Sequence, residues 1–252
     1  MMTILAMDTS TEALNIALGE DTGQLIAEYS LVVGKQHATL LHPLIDDMLS
    51  TLSLTPKDLT AIAVGVGPGS YTGVRIAVTA AKSLAFALSI PVLGVSSLLA
   101  AAYAQRDQQG IVLVAFDARR SQAYTGIYLA DDGRLTPLIE ETKLSYEEAI
   151  RQVKVLTTSY QQERVIIVGD GRKQAMNYAN RSLQKVVSSH QSMQISAKDV
   201  FQVALPEVTQ RLTRAQGELT QDAQTLVPTY LQLAEAEARW RSLQQERLTN
   251  DK

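Results

Sequence analysis

The chain has 252 residues, a formal net charge of −3 and 46% hydrophobic residues. This composition predicts a substantial core and excludes a globally disordered protein. The absence of cysteine excludes disulfides, thiol nucleophiles and cysteine-ligated zinc. The sequence has no dense block of Lys and Arg, so tight binding of nucleic acid by the chain alone is not expected.

The N-terminal segment predicts strands rather than a targeting signal. MMTILAMDTS lacks a basic region and reaches Asp8 within ten residues, which is not typical of a signal peptide. An apolar strand ends in Ala-x-Asp at Asp8, a second strand ends at Leu18, and a third follows the turn Asp21–Gly23. A helix over residues 37–53 and a strand over 61–66 are predicted next.

The glycine-rich loop GVGPGSYTG, residues 65–73, is similar to a phosphate-binding loop but fails its residue requirements. A Walker A loop needs lysine directly after its last glycine, and the next lysine is Lys82. The G-x-G-x-x-G fingerprint is also unmatched, because serine or threonine stands at its third glycine. Ser70 is not a nucleophile elbow, since G-x-S-x-G requires glycine two residues on either side.

This loop is therefore predicted to be structural and to begin a helix over residues 72–88, with Ser70 or Thr72 as the cap. The N-terminus of that helix remains able to bind an anion. The residues assigned to the structural loop are Gly67, Pro68, Gly69, Ser70 and Gly73.

The two helices predicted over 37–53 and 72–88 carry more apolar surface than one buried face requires. This surplus indicates either a dimer interface or deep burial within a large lobe, and the sequence leaves both open. His37 and His42 lie about 140° apart around the first helix. They are therefore not expected to share a metal ion.

Residues 83–104 contain no charge and are long enough to suggest a membrane span. Pro91 and Gly94 interrupt this run, and Ser89, Ser96 and Ser97 lie inside it. A buried helix, a strand at 92–95 and a further helix are predicted instead, and no membrane association is expected.

Residues 112–135 repeat the pattern of residues 3–25, with Ala-x-Asp ending at Asp117 and a turn at Asp131–Gly133. Helices near 145–155 and 172–180, a strand at 165–169 and a helix near 196–213 follow. The fold class predicted is α/β, with two duplicated ribonuclease-H-like lobes, each a mixed sheet with flanking helices. The predicted lobes are residues 1–105 and 106–231, followed by a charged C-terminal helix or tail at 232–252.

Duplicated lobes of this kind build actin, the heat-shock ATPases and the sugar kinases. In those proteins ATP lies between the lobes, and an Asp that ends the first strand of each lobe helps hold metal and phosphates. Asp8 and Asp117 stand in these places, so Asp8, Thr9, Ser10 and Asp117 are candidate nucleotide-binding residues. The alternative is that each Asp only ends a strand and caps a turn.

Four segments resemble the TsaB (YeaZ) family: ILAMDTST, KQHATLLHPLI, VGVGPGSYTGVRIAVTAAKSLAF and VPTYLQLAEAE. The resemblance is strong in the first lobe and weak in the second. It implies an actin-like ATPase fold and a cytoplasmic role in making threonylcarbamoyladenosine beside the anticodon of bacterial tRNA. The family is a paralogue of the transferase subunit TsaD, whose H-x-x-x-H metal pair is missing from this sequence.

The resemblance implies a non-catalytic scaffold with no catalytic or metal-binding residue of its own. It implies dimerisation with TsaD through the helices at 37–53 and 72–88, recruitment of the ATPase TsaE, a homodimer when alone, and contact with tRNA only through the complex. No cofactor is expected on the chain alone, and ATP or ADP at a subunit boundary is left open. The predicted interface residues are Leu40, Leu44, Val74, Val78 and Phe86.

The main alternative is an active small-molecule kinase or ATPase of the same fold, in which Asp8 and Asp117 hold magnesium and ATP. A peptidase is disfavoured because the sequence shows no cysteine, no nucleophile elbow and no metal pair. The charged segment at 232–252 is expected to be a solvated helix or tail, with partner contact through Trp240 as the alternative.

Overall fold

The first sheet of the computed structural model has five strands in the order β3-β2-β1-β4-β5. The structure describes residues 2–183, 186–188, 195–214 and 221–231. The strands are β1 (Thr3–Asp8), β2 (Ala13–Glu20), β3 (Leu25–Val32), β4 (Leu59–Gly65) and β5 (Val92–Val95). Strands β1, β2 and β3 pair antiparallel, whereas β4 and β5 are added in parallel. The helices of this half are α1 (His37–Thr51), α2 (Tyr71–Leu88) and α3 (Ser97–Tyr103).

The second sheet repeats this topology in the order β11-β10-β6-β7-β8, with β9 also paired to β7. Its strands are β6 (Gly110–Asp117), β7 (Gln122–Asp131), β8 (Arg134–Pro137), β9 (Thr142–Ser145), β10 (Val165–Val168) and β11 (Val186–Ser188). The remaining helices are α4 (Tyr146–Ser159), α5 (Arg172–Ser182), α6 (Ala197–Arg214) and α7 (Gln221–Thr225). The predicted duplication is confirmed, with one difference: the third strand of the second half is divided into β8 and β9.

The buried side chains form three clusters because each sheet is covered on both faces. One face of the first sheet packs on α1 and α2, and one face of the second packs on α4 and α5. The two remaining faces share a central cluster that includes α3 and α6. Strand β1 shows how the sequence supports this arrangement: Ile4 and Ala6 enter the central cluster, while Leu5 and Met7 face α1 and α2.

Helix α6, from the C-terminal part of the chain, packs on the first sheet. It contacts β1, β2, β3, β4 and β5 of the first sheet. Gly19 on β2 makes room for the fully buried ring of Phe201, which a Cβ at that position would overlap. Residues 197–214 belong to the predicted second lobe at 106–231, and in the structure they cover the inner face of the first sheet. Helix α3 contacts β6 and β7 of the second sheet and packs against α6, so the two helices lie together in the central cluster.

Residues 221–231 also pack on the first half of the molecule. Helix α7 contacts α2 and β5. The backbone N–H of Thr229 donates to the carbonyl of Val66, 2.8 Å away. We call residues 221–231 the C-terminal strap. The charged segment predicted at 232–252, with Trp240, lies outside the described residues.

The uncharged run at 83–104 has the predicted structure. It contains the end of α2, the strand β5 and the helix α3, whose N-cap Ser96 accepts a hydrogen bond from the Leu99 N–H at 3.1 Å. Among the helices that the structure describes, none is long and apolar enough to span a bilayer.

We predict that Asp199→Asn makes folding less sensitive to pH. Asp199 is buried near the start of α6, and burial raises its pKa from 3.8 to about 6, while Lys198 and Arg106 lower it and Glu28 raises it. Below about pH 4 the carboxyl is protonated in both the folded and unfolded states. As pH rises from 4 to 6, the unfolded state ionises first and stability is lost, by up to about 3 kcal/mol.

The asparagine variant should therefore gain stability relative to wild type as pH rises from 4.5 to 7.5. The measurement is the free energy of unfolding in urea at both pH values. A difference between the two proteins that is the same at both pH values would contradict the burial effect.

Candidate functional site

Asp8, at the end of β1, is a fully buried carboxylate inside a closed hydrogen-bond network. Its Oδ1 accepts hydrogen bonds from the backbone N–H and the hydroxyl of Ser10, both at 2.7 Å. Its Oδ2 accepts from the hydroxyl of Ser97 at 2.7 Å, and that hydroxyl accepts from the Gly67 N–H at 3.1 Å. Burial raises the pKa of Asp8, and the hydrogen bonds from Ser97 and Ser10 oppose this rise. The carboxylate therefore connects β1, the glycine-rich loop and α3.

The glycines of the loop permit close backbone contact. A Cβ at Gly69 would overlap the carbonyl of Ser10, and a Cβ at Gly73 would overlap the carbonyl of Thr9. The Thr9 hydroxyl donates to the Gly73 carbonyl at 2.7 Å. The Ser10 carbonyl accepts from the backbone N–H of Ser70 at 2.7 Å. The loop is therefore packed against the Thr9–Ser10 turn.

The predicted start of the helix is confirmed at this loop. Ser70 is the N-cap of α2, and its hydroxyl accepts a hydrogen bond from the Gly73 N–H at 3.2 Å. Gly67 adopts φ +89°, which side chains rarely tolerate, and the Gly67–Pro68 peptide bond is cis. The loop thus positions α2 against the first sheet.

The structure does not leave a magnesium or phosphate site at Asp8. Asp8 and Thr9 have no solvent-exposed surface, and Ser10 has only 2%. Both carboxylate oxygens of Asp8 already accept hydrogen bonds from within the chain. These three candidate residues do not fit a nucleotide in this conformation, because the glycine-rich loop occupies the space next to them.

Asp117 occupies the corresponding end of β6 but has different surroundings. It is exposed, and it accepts hydrogen bonds from the Arg119 N–H and the Tyr146 hydroxyl, both at 3.1 Å. Its own N–H donates to Asp170 Oδ1 at 2.7 Å. The surrounding protein raises the pKa of Asp170 by desolvation, although its side chain reaches solvent at the edge of the sheet. A nucleotide-binding role for Asp117 stays a prediction.

Both aspartates cap turns, as the alternative interpretation of the sequence expected. Each carboxylate accepts the backbone N–H two residues further on, at Ser10 and at Arg119. The turn after Asp117 contains three consecutive left-handed residues, Arg119, Arg120 and Ser121. Such a conformation favours glycine. The bulky side chains therefore distinguish this turn from a small-residue phosphate loop.

The two histidines of α1 are separated as predicted. His37 is buried and its Nε2 has no hydrogen-bond partner, whereas His42 is exposed. In the part of the chain that the structure describes, no group of three or more His, Asp or Glu side chains could hold a metal ion.

The structure corrects two of the predicted interface residues. Val74 and Val78 were expected to point away from the core, but they are only 2% and 3% exposed and pack between α2 and the first sheet. Leu40 and Leu44 are half-buried, and Phe86 is 65% exposed. The hydrophobic pattern did not separate the two faces of α2 because small and apolar residues occur on both.

An open groove of about 440 Å³ lies between α1 and α2. Leu41 and Ala80, both buried, contribute to its lining. The residues of α2 that line the groove recur three or four positions apart, so their side chains lie on one face of the helix. The lining residues are Ala38, Leu41, His42, Tyr71, Thr72, Arg75, Ile76, Thr79, Ala80 and Ser83. We call this groove, together with Phe86 one turn beyond Ser83, the α1–α2 face.

Arg75 on this face is held by two tyrosines. Its Nε donates to the Tyr230 hydroxyl at 2.7 Å, and its guanidinium carbon lies 4.0 Å from the ring centroid of Tyr71. The two rings lie 5.2 Å apart. No local pattern in the sequence indicates this cluster, because 155 residues separate Arg75 from Tyr230.

The strap reaches Arg75 through further contacts with α2. The Lys82 ammonium donates to the carbonyls of Leu226 at 2.8 Å and Gln224 at 3.3 Å. Leu226 also lies over Gly94, where a Cβ would be 2.8 Å from the leucine Cδ1. The α1–α2 face is thus contacted, at Arg75, by Tyr230 from the far end of the chain.

The fold and the α1–α2 face define a two-lobed α/β protein of the actin-like class. An activator of the 2-hydroxyisocaproyl-CoA dehydratase from Clostridium difficile, solved with bound ADPNP, shares this fold. Its TM-score is 0.50 at 10% identity, over 86% of this chain and 99% of that chain. At this identity the likeness shows the fold alone.

The family model for "TsaD: tRNA N6-adenosine threonylcarbamoyltransferase" matches residues 31–240. The tRNA threonylcarbamoyladenosine biosynthesis protein TsaB of Bacillus subtilis is 36% identical over 95% of this chain and 98% of its own length. A Pseudomonas aeruginosa structure, described as similar to the peptidase YeaZ, has a TM-score of 0.72 at 33% identity and covers 92% of this chain and 100% of that one. The chain belongs to the TsaB (YeaZ) family of tRNA threonylcarbamoyladenosine biosynthesis proteins.

We predict that Gly73→Ala destabilises the fold by about 3 kcal/mol, because its methyl group would meet the Thr9 backbone rather than a movable side chain. Gly34→Ala is the control, since a Cβ there meets nothing within 4 Å, although φ is +57°. Gly34→Ala should lower the free energy of unfolding by about 1 kcal/mol. Urea unfolding measures both, and equal losses would show that the close contact at Gly73 is not important.

Proposed function

We propose that the protein is a non-catalytic scaffold subunit in bacterial tRNA threonylcarbamoyladenosine synthesis. In this proposal it binds TsaD through the α1–α2 face, and the pair recruits TsaE. The observation that carries the proposal is the contrast between an open α1–α2 groove and a closed turn at Asp8. The surface for binding a partner is accessible, whereas the position that would hold a nucleotide is filled by the chain itself.

The exposure of Phe86 supports a partner on this face. A phenylalanine that is 65% exposed leaves apolar area in water, and a docking helix would remove that area from water. The groove beside it is lined by small, apolar and hydroxyl side chains, which allow a second helix to approach closely. The same face would form a homodimer when TsaD is absent, so the two assemblies would compete.

The closed turn at Asp8 supports a role without catalysis. A kinase of this fold would need Asp8 to reach a metal ion or phosphate, and its carboxylate instead accepts hydrogen bonds from Ser10 and Ser97. Nucleotide in the complex would then lie at a boundary with another subunit. We propose that contact with tRNA also depends on the complex, and that the protein acts in the cytoplasm.

The direct test of this function is light scattering after size exclusion, on the chain alone and mixed with TsaD of the same organism. We expect a one-to-one complex that forms at the expense of the homodimer. Separate elution of the two proteins at micromolar concentration, with nucleotide present, would overturn the proposal.

We predict that Phe86→Asp weakens the complex with TsaD by at least roughly tenfold, because it places a charge in an apolar contact. Val155→Asp on α4 is the matched control, since Val155 is 55% exposed and lies on the second half of the molecule. Isothermal titration calorimetry should show lost affinity for the first variant only. If both variants bind TsaD with equal affinity, Phe86 does not lie in the interface.

We predict that the isolated chain binds no Mg-ATP at millimolar concentration, because Asp8 is inaccessible. Calorimetry with the purified chain measures this directly. Saturable binding that Asp8→Asn abolishes would instead support the kinase or ATPase alternative.

A further inference from the structure

The α1–α2 groove contains a positioned cation. Among the residues that line it, Arg75 carries the only permanent charge. The stacking of Arg75 on Tyr71 and its hydrogen bond to Tyr230 fix the guanidinium before any partner arrives. A cation positioned in this way loses less conformational entropy when it binds.

Most of the hydrogen-bonding capacity of Arg75 remains unused. Arginine has five N–H donors, and Tyr230 accepts from the one on Nε. Within the described ranges of the chain, no carboxylate forms an ion pair with Arg75. As far as residues 2–183, 186–188, 195–214 and 221–231 are concerned, the two terminal nitrogens therefore keep their donors.

We propose that Arg75 is the polar anchor of the α1–α2 face and receives a carboxylate from a helix of TsaD. This inference rests on the proposed function and adds the chemistry of the contact. A partner that covers the groove removes water from the guanidinium, which is costly unless an acid replaces that water. A carboxylate matches the planar guanidinium with two parallel hydrogen bonds.

The charge of the groove favours a protein partner over RNA. Binding to a phosphate backbone usually requires several basic side chains, and the groove lining has one arginine among apolar and hydroxyl side chains. Those neighbours suit a helix that presents small residues next to an Asp or Glu.

The composition of the face also favours TsaD over a second copy of this chain. In a symmetric dimer the same surface meets itself, and the groove lining contains no carboxylate. The nearest acid in sequence on that side of α1 is Asp46, one turn after His42 and outside the lining. This composition favours a different chain as the source of the acid.

Tyr230 makes the strap part of this anchor. Tyr230→Phe keeps the ring next to Tyr71 but removes the oxygen that accepts from Arg75 Nε. The guanidinium would then be held by stacking alone. We expect a smaller loss of affinity than on removal of the arginine itself.

The test is calorimetric titration of TsaD with wild type and with Arg75→Gln, Arg75→Lys and Tyr230→Phe, at low and high NaCl. Arg75→Gln should weaken binding roughly 30-fold and reduce its dependence on salt. Arg75→Lys should recover only part of the loss, since lysine cannot form the two parallel bonds. Tyr230→Phe should lower the affinity for TsaD by a few-fold. Arg151→Gln on α4 is the control, because it removes an equal charge from an exposed site away from this face.

The outcomes separate this inference from the function on which it rests. If wild type does not bind TsaD, both are overturned. If wild type binds and Arg75→Gln binds equally well, only the anchor is overturned. If Asp46→Asn abolishes the homodimer and the Arg75 variants bind TsaD as wild type does, the carboxylate that Arg75 receives comes from a second copy of this chain. Binding of tRNA by the chain alone that requires Arg75 would assign the site to phosphate and also overturn the proposal.

Discussion

The close contact between the glycine-rich loop and the turn after β1 positions α2 and closes the end of the first strand. Asp8 lies at its centre, and its two oxygens join the turn at Ser10 to the start of α3 at Ser97. The absence of side chains at Gly69 and Gly73 lets the two backbones meet. One contact therefore sets the direction of α2 and also closes the space next to Asp8.

The central layer explains why two similar halves form one molecule. Helices α3 and α6 pack between the inner faces of both sheets, so neither half has a complete core without the other. Glu141, between β8 and β9, accepts hydrogen bonds from Ser96 at 2.5 Å and Tyr128 at 2.7 Å. The connection between β8 and β9 thus carries the carboxylate that links Tyr128 of the second sheet to Ser96 at the start of α3. Hydrophobic burial supplies the bulk of this junction, and these polar contacts fix its geometry.

The C-terminal strap connects the end of the chain to the surface that we assign to a partner. Lys82 holds its backbone, and Tyr230 reaches Arg75. The α1–α2 face is therefore built from helices close together in sequence and completed by a distant segment. A substitution in the strap would therefore alter the α1–α2 face even if α1 and α2 were unchanged. The proposed anchor at Arg75 depends on this connection.

Residue patterns in the sequence were enough to predict the duplicated fold, the order of the strands along the chain, and a helix that begins in the glycine-rich loop with Ser70 or Thr72 as its cap. These features follow from local hydrophobic periodicity and residue chemistry, which act over a few residues. The sequence did not show that Val74 and Val78 face the core, that α6 packs on the first sheet, or that Tyr230 contacts Arg75. The physical reason is that burial and long-range contacts depend on which surfaces meet, and a local pattern does not specify the partner of each face.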